Sequence, residues 1–434
     1  MKENQHKMMT WVSALFSRLF ACRELHIPSS HIHYRNKIIY NLPLDTERND
    51  DHYGLSVSLS VLADRKLNDV VQAIHDWACK MNVSPRYNMF REVMTKTTRD
   101  GNILLRVTVL RKEEQNNKIA KNPNSNNSNS NNSNGNNNAK IYSMMEKKEY
   151  ADRWEELKQP FVKHMIQLFP SITCICYNET INHVRPTKNC PLHLLYGKHM
   201  HSTAVTHIGN LEYIIGVDNF CEVNHEVEAL QNNQKSEWIH AMNFQDGAVL
   251  LCSGRDMSSW SLGFGSMRDN KNGNKLFAEC VVVSHCPIVI RDAIINCNKH
   301  SEKVKCTVLY KVKADMASDV ANALDSAIAR QKRKHVPVCV IASGGRKGLN
   351  PSYICLLKES VAVKCIIYNS CSTKSLEKDM TDLLDGPNGF TVDAFRSYDF
   401  FGGTVRQQMR RKYITPSIIV LVELYFYLRR GSLS

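Results

Sequence analysis

Apolar and polar positions follow two periods along this chain, and the balance between them changes part-way. In the first part, residues 55–62 and 103–110 alternate side by side, the period-two pattern of half-buried strands. Between them Leu67, Val70, Val71, Ile74 and Trp77 recur at three- and four-residue steps, which predicts a helix over 66–81. This part reads as a β-rich α+β unit.

Further on, 150–168 has helical spacing, 173–177 and 211–217 are short strand-like pieces, and 224–230 reopens a helix. From about residue 246 the pattern becomes regular. Apolar runs at 248–251, 279–283, 336–341 and 363–368 alternate with helical stretches at 288–296, 316–329 and 375–384. Such alternation predicts a mostly parallel sheet with helices on both faces. The run 416–428 falls short of the roughly 20 residues a bilayer requires and carries Glu423, so a buried strand or strand pair is expected there and no membrane partner. No internal repeat is visible.

Two stretches stand outside these patterns. Residues 122–138 are almost all Asn and Ser; with nothing apolar to bury they cannot offset their ordering entropy, so a flexible insertion is expected over 121–140. Residues 1–27 hold a weakly amphipathic run at 11–21 with Lys2, Lys7, Arg18 and Arg23. Organelle-import signals have this form, but Glu3 and Glu24 count against one, and a first helix of the fold is the other reading. The expected organisation is thus a targeting-like segment 1–27, a β-rich α+β unit 28–120, the insertion, a central unit 141–230 that continues the α+β region, and a Rossmann-like domain 231–434.

Composition narrows the class. The 434 residues are 43% hydrophobic, as in globular chains that bury a core, and are long enough for two or three domains. With 56 basic and 42 acidic residues, the formal charge of +14 suits a polyanion, most simply nucleic acid, although excess Lys and Arg also serve as solvated surface. The 15 cysteines are scattered singly through apolar runs, which points to reduced thiols and an intracellular location: mitochondrial from the first segment, otherwise cytoplasmic or nuclear.

The chemistry-bearing residues lie at strand ends. Ser343-Gly-Gly-Arg346-Lys347-Gly348-Leu349 follows one apolar run and Ser370-Cys371-Ser-Thr373 the next; in a doubly wound sheet both would sit at carboxyl ends, where ligands bind. Together with Tyr34-Arg35-Asn36-Lys37, Phe220-Cys-Glu222-Val-Asn224 and Arg291-Asp-Ala-Ile-Ile-Asn296, taken in this order, they make the chain resemble the S-adenosylmethionine-dependent RNA uracil-C5 methyltransferases, which form 5-methyluridine in tRNA and rRNA. The resemblance spans about residues 28–420. It implies an α/β fold: a carboxyl-terminal Rossmann-like S-adenosylmethionine-methyltransferase domain with a β-rich α+β amino-terminal and central RNA-binding unit.

In that family a cysteine thiolate adds to C6 of uracil, C5 takes the methyl group, and a base removes the C5 proton before the cysteine leaves. By resemblance Cys371 is the nucleophile; read from composition alone it is one buried thiol among many. Val405 stands where the family has its glutamate base, and Ser343 where it has the aspartate that contacts the base. Where the family's glycine-rich cofactor turn should be, Leu251 replaces the aspartate and Arg255 and Met257 replace glycines. Ser284 replaces the acid that binds the ribose, and Glu222 the cofactor-contacting glutamine. Losing a general base alone commonly costs on the order of 10²–10⁴-fold in rate. No cofactor is therefore expected, unless the chain is active, in which case it is S-adenosylmethionine.

The RNA-contacting set survives: Tyr34, Arg35, Lys37, Arg346 and Lys347, with basic clusters at 330–335 and 406–412. Tyr398, Phe400, Phe401 and Tyr413 interleave with them; exposed, these rings would stack on unpaired bases, and buried, they would be core. Neither Cys174 and Cys176 with Cys190 and His193, nor His199 with His201, has a paired zinc-ligand spacing, so no metal is expected. The amino-terminal cysteine cluster with which some family members hold an iron–sulfur centre is also missing from the sequence. The expected function is that of an RNA-binding, catalytically degenerate homologue, with tRNA or rRNA and ribonucleoprotein components as partners in RNA processing or ribosome assembly. The alternatives are a divergent active tRNA or rRNA methyltransferase and a protein–protein scaffold that touches no RNA.

Overall fold

The computed structural model describes residues 25–26, 35–41, 63–81, 90–110, 153–180, 191–244, 247–254, 257–310, 316–332, 335–345, 347–370, 372–386, 388–399 and 422–430. The expected strand over 55–62 and the Asn/Ser tract lie outside these residues. The chain forms two compact units, one of residues 37–202 and one of residues 1–36 with 203–434. A two-residue strand, β1 (Leu25–His26), belongs to the second of them.

The 37–202 unit is a five-stranded sheet of β2 (Lys37–Asn41), β3 (Phe90–Thr97), β4 (Ile103–Leu110), β5 (Ile172–Thr180) and β6 (His193–Tyr196), in that spatial order. All its pairs are antiparallel except β4 with β5, whose connection contains the helix 153–168. We number that helix α2, and the helix Arg65–Lys80 is α1. Ile103, Leu105, Val107 and Val109 of β4 enter one core as the alternation predicts, but Leu104 and Thr108 on the other face are buried too, so this strand is not the half-buried one expected. Val70, Val71, Ile74 and Trp77 of α1 and Trp154, Leu157, Phe161 and Met165 of α2 fill that core from above. Edge-on aromatic contacts tie the two helices and the sheet together, with Trp77 against Phe161 at 5.1 Å and Phe90 against Trp154 at 5.6 Å.

In the second unit a two-stranded ribbon, β7 (His201–Val205) with β8 (Glu212–Gly216), leads into α3 (His225–Ala241). Alternating elements follow: β9 (Ala248–Ser253), α4 (Met257–Gly265), β10 (Phe277–Ser284), α5 (Pro287–Lys299), β11 (Cys306–Tyr310), α6 (Met316–Arg330), β12 (Val338–Ser343), α7 (Pro351–Glu359), β13 (Val363–Ser370), α8 (Thr373–Leu384), β14 (Phe390–Asp399) and β15 (Val422–Arg430). The spatial order is β1-β14-β15-β13-β12-β9-β10-β11. Strands β9 to β13 are mutually parallel and β15 is antiparallel to both of its neighbours. From β11 inward the order is third, second, first, fourth, fifth, which is the doubly wound arrangement. The apolar run expected at 416–428 supplies β15, inserted between β13 and β14 rather than at an edge.

Both faces of this sheet are covered, which is why its strands read as unbroken apolar runs. Along β9, Val249 and Leu251 enter one core with α6, α7 and α8, and Ala248, Leu250 and Cys252 enter the other with Trp260 and Phe264 of α4 and Val289 of α5. Helix α4 showed no amphipathic pattern in the sequence because it has no wet side across its centre: Trp260, Ser261, Leu262 and Phe264 are all buried. The thiols placed in these cores are held protonated: burial pushes Cys252 up, and at Cys339 a hydrogen bond with Cys365 and burial act together.

One buried carboxylate fastens α6 to the sheet. Glu279 on β10 accepts from Arg330 Nε at 3.0 Å and from Thr307 Oγ1 at 3.0 Å, with Lys305 Nζ at 3.3 Å. Arg330, the first residue of the basic 330–335 cluster, is therefore committed to an internal ion pair. Burial pushes the Glu279 carboxyl up, but the bonds from Arg330, Thr307 and Lys305 outweigh it and the net shift is downward from the ordinary 4.5. A lowered native value contributes stability that is complete above pH 4.5 and is lost as pH falls through the native value. Glu279→Gln is expected to lower neutral-pH stability by about 1.5–3 kcal/mol. The gap to the unsubstituted chain closes on acidification, and urea unfolding at a series of pH values measures it.

Candidate functional site

Parallel register brings four strand ends to one edge of the second unit's sheet. Ser253 pairs with Val283 on one side and Ala342 on the other, and Ser343 pairs with Asn369. The edge is therefore made of Ser253–Gly254 after β9, Ser284 after β10, the 343–349 loop after β12 and Ser370 after β13. Carboxyl ends of this kind are where ligands bind in doubly wound sheets.

The 343–349 loop is built around a side chain that sequence reasoning did not single out. Asp379 of α8 accepts from the Leu349 backbone N–H at 2.6 Å and from the Tyr368 hydroxyl at 2.6 Å, and is fully buried. Burial pushes its carboxyl up, opposed by those two bonds. Two glycines make the close approach possible. A Cβ at Gly344 would collide with the Tyr368 hydroxyl, and one at Gly348 would stand 2.5 Å from Asp379 Oδ1, with φ at +79°. Gly344 N–H also donates to Asn369 O at 3.1 Å, and Ser375 Oγ to Gly345 O at 3.2 Å, so the loop after β12 is bonded to residues on either side of the second motif segment. Ser372, within that segment, caps α8 by accepting from Ser375 N–H.

On the β10 side the polar groups satisfy one another. Ser284 Oγ donates to Gly254 O at 3.0 Å and accepts from Cys286 N–H at 3.2 Å, and the residue is 3% exposed. The Tyr353 hydroxyl, also buried, donates to Ser253 Oγ at 3.0 Å. Leu251 of β9 is fully buried in the core.

Residues of the three remaining motif segments are linked by hydrogen bonds within the same unit. Asp292 of α5 is fully buried and accepts from Gly216 N–H at 2.6 Å and Asn219 Nδ2 at 2.9 Å, while Arg291 closes on it at 2.8 Å. Asn296 exchanges two hydrogen bonds with the Ile214 backbone. Asn219 leads into 220–224, and Val223 O accepts from Asn36 N–H at 3.1 Å. Asn36, Val223 and Asp292, far apart in sequence, are thus tied to one another through the 219–223 stretch.

Among the expected site residues, Ser284 and the exposed Lys347 lie along the strand-end edge, while Glu222 is buried in the segment between β8 and α3. Arg35 is half-buried beside Asn36, and Lys37 opens β2 in the other unit. Tyr34, Arg346, Cys371 and Val405 lie outside the described residues, as do Arg255, Phe400, Phe401, Tyr413 and the 406–412 cluster. Tyr398, read as either a stacking ring or core, is core: it is 1% exposed against Val227, and burial pushes its hydroxyl up to about 12.

Sequence reasoning also passed over His207, His225 and Glu228. Glu228 Oε2 lies 3.3 Å from both His207 Nε2 and His225 Nδ1. Burial acts to raise the Glu228 carboxyl, but the two imidazoles outweigh it and hold it down at about 2. Only the i, i+3 spacing of His225 and Glu228 was available as a sequence signal, and it is common on helices.

No protein-family model matches the chain, and no curated protein matches it in sequence. Solved structures do. The tRNA (uracil-54, C5)-methyltransferase of Pyrococcus abyssi, in complex with S-adenosyl-L-homocysteine, aligns over 96% of this chain and 82% of its own, with a TM-score of 0.56 and 11% identity. Weaker likenesses are a putative S-adenosylmethionine-dependent methyltransferase from Streptococcus mutans (TM-score 0.37, 9% identity, 85% of this chain and 84% of that one) and the M. jannaschii tRNA m1G37 methyltransferase (0.33, 9%, 62% and 67%). At 11% identity the likeness to the Pyrococcus protein is one of fold: the chain has a methyltransferase-like α/β fold with a separate β-rich unit.

The two glycines with positive φ in the 343–349 loop separate steric from conformational cost. Gly348→Ala, which must displace Asp379, is expected to destabilise the protein by about 2–4 kcal/mol. Gly345→Ala, at φ +58° with open space around the Cβ position, should cost only about 1–2 kcal/mol. Denaturant midpoints of the two variants measure the difference.

Proposed function

We propose that the chain is an RNA-binding, catalytically degenerate homologue of the RNA uracil-C5 methyltransferases, acting within a ribonucleoprotein or RNA-processing complex. The observation that carries this reading is Ser284. A ribose is held in such folds by an acidic side chain at the end of the second strand, which accepts from both hydroxyls. The side chain at that position here is a serine hydroxyl, already engaged with Gly254 O and Cys286 N–H and shielded from solvent. The residues at this edge do not fit S-adenosylmethionine.

RNA binding is supported by different features: the formal charge of +14, the exposed Lys347 on the strand-end edge, and Lys37 at the start of the β-rich unit. The Pyrococcus protein with the same fold is named as a tRNA methyltransferase, consistent with a scaffold suited to tRNA or rRNA. Among the described residues no helix is long and apolar enough to cross a membrane.

Calorimetric titration of the full chain with S-adenosylmethionine is expected to give no binding heat; micromolar affinity would overturn the degenerate reading. Filter binding of tRNA across a salt series tests the RNA half. Lys37→Glu and Lys347→Glu should each weaken binding and reduce the salt slope by about one. Absence of salt-dependent tRNA binding by the unsubstituted chain would leave the protein–protein scaffold as the better account, and unchanged affinity and slope in both variants would overturn the assignment of the RNA contact to these two lysines.

A further inference from the structure

We infer that His207, His225 and Glu228 form a binding site for one divalent transition-metal ion, of the class represented by zinc. The inference is independent of the proposed function, because none of the three residues belongs to the strand-end edge.

The donors come from two rigid pieces of backbone. His207 stands in the β7–β8 turn, which Thr206 holds closed: its N–H donates to Leu211 O at 2.9 Å, its Oγ1 accepts from Leu211 N–H at 3.0 Å and donates to Ile208 O at 2.6 Å. His225 and Glu228 share one face of the first turn of α3, which Asn224 caps by accepting from Glu226 and Val227 N–H at 3.0 and 3.1 Å. The three donor atoms lie within 4.8 Å of one another.

The spacing suits a shared ion better than direct hydrogen bonds. Charge-assisted N–H···O contacts close to about 2.7–2.9 Å, and both imidazole nitrogens stop at 3.3 Å from the same carboxylate oxygen. Donors held at 2.0–2.2 Å around a tetrahedral ion stand roughly 3.3–3.6 Å apart, which is the separation of each histidine from Glu228, and the two histidine nitrogens lie within 4.8 Å of each other. The His207 side chain is also poorly compensated where it stands. It is 9% exposed, and its Nδ1 is buried with no hydrogen-bond partner among the described residues, so Nε2 carries its polar engagement. A metal bond at Nε2 would offset that burial.

Two nitrogens and one carboxylate oxygen are the donor set of open zinc sites, with the fourth position left to water. Access for that fourth ligand comes from the His225 side, where the side chain is 28% exposed, against 7% for Glu228. An ion here would clamp the β7–β8 turn to the start of α3. The positive end of the helix opposes a cation, and the buried carboxylate in its first turn counters it.

Cobalt(II) reports directly on such a site through the visible bands of tetrahedral coordination. Titrating the metal-free full chain is expected to produce these bands with a single ion per chain, and zinc should abolish them. Glu228→Gln and His225→Ala should lose the bands, the second at a partly exposed position where the fold is not at risk. His199→Ala with His201→Ala removes the stacked histidine pair at 4.7 Å, a possible competing ligand set, and should leave the bands intact. The inference is overturned if no tetrahedral bands appear, if they survive in His225→Ala, or if they vanish with His199 and His201.

Discussion

The second unit depends on one constraint: a central parallel sheet must bury both of its faces. Strand β9 sends alternate side chains into two separate cores, and each core needs its own layer of helices. Once β9, β10, β12 and β13 are parallel and in register, their carboxyl ends must come to a single edge. The location of the candidate site is therefore a consequence of how apolar surface is buried, before any polar residue is considered.

At that edge the backbone leaves the sheet, and its polar groups need partners. Here many of those partners come from the protein itself. Asp379 receives Leu349 N–H and Tyr368 OH, Ser284 bridges Gly254 and Cys286, and Tyr353 reaches Ser253. An open binding site keeps such groups available to a ligand; a site that satisfies them internally gains stability at the expense of recognition. The same logic governs Asp292, whose buried charge draws in Gly216, Asn219 and Arg291 and so organises the segments at the β8 end.

Much of this architecture was legible in the residue pattern. The helix carrying Leu67 to Trp77, the strand Ile103–Leu110 and the β–α alternation after residue 246 follow from burial on one face or on two, which periodicity reports directly. Helix α4 was not legible, because an element buried nearly all round leaves no polar stripe. Tyr398 could not be assigned from sequence either: an aromatic between charged residues has the same local pattern whether it lies against Val227 or in solvent.

The sequence by itself determined the class of the fold and the β–α alternation after residue 246, because these depend on local composition and spacing. Tertiary structure alone decided which polar groups are already satisfied. A serine at position 284 is compatible with ligand binding until its bonds to Gly254 and Cys286 are seen. Asp379 is an ordinary helix residue until the 343–349 loop folds onto it, and His207 has no chemical meaning until an 18-residue return of the chain brings His225 within reach. Hydrogen bonding and metal ligation act over about 2–3 Å, and no pattern along the chain reports distances that long-range folding alone creates.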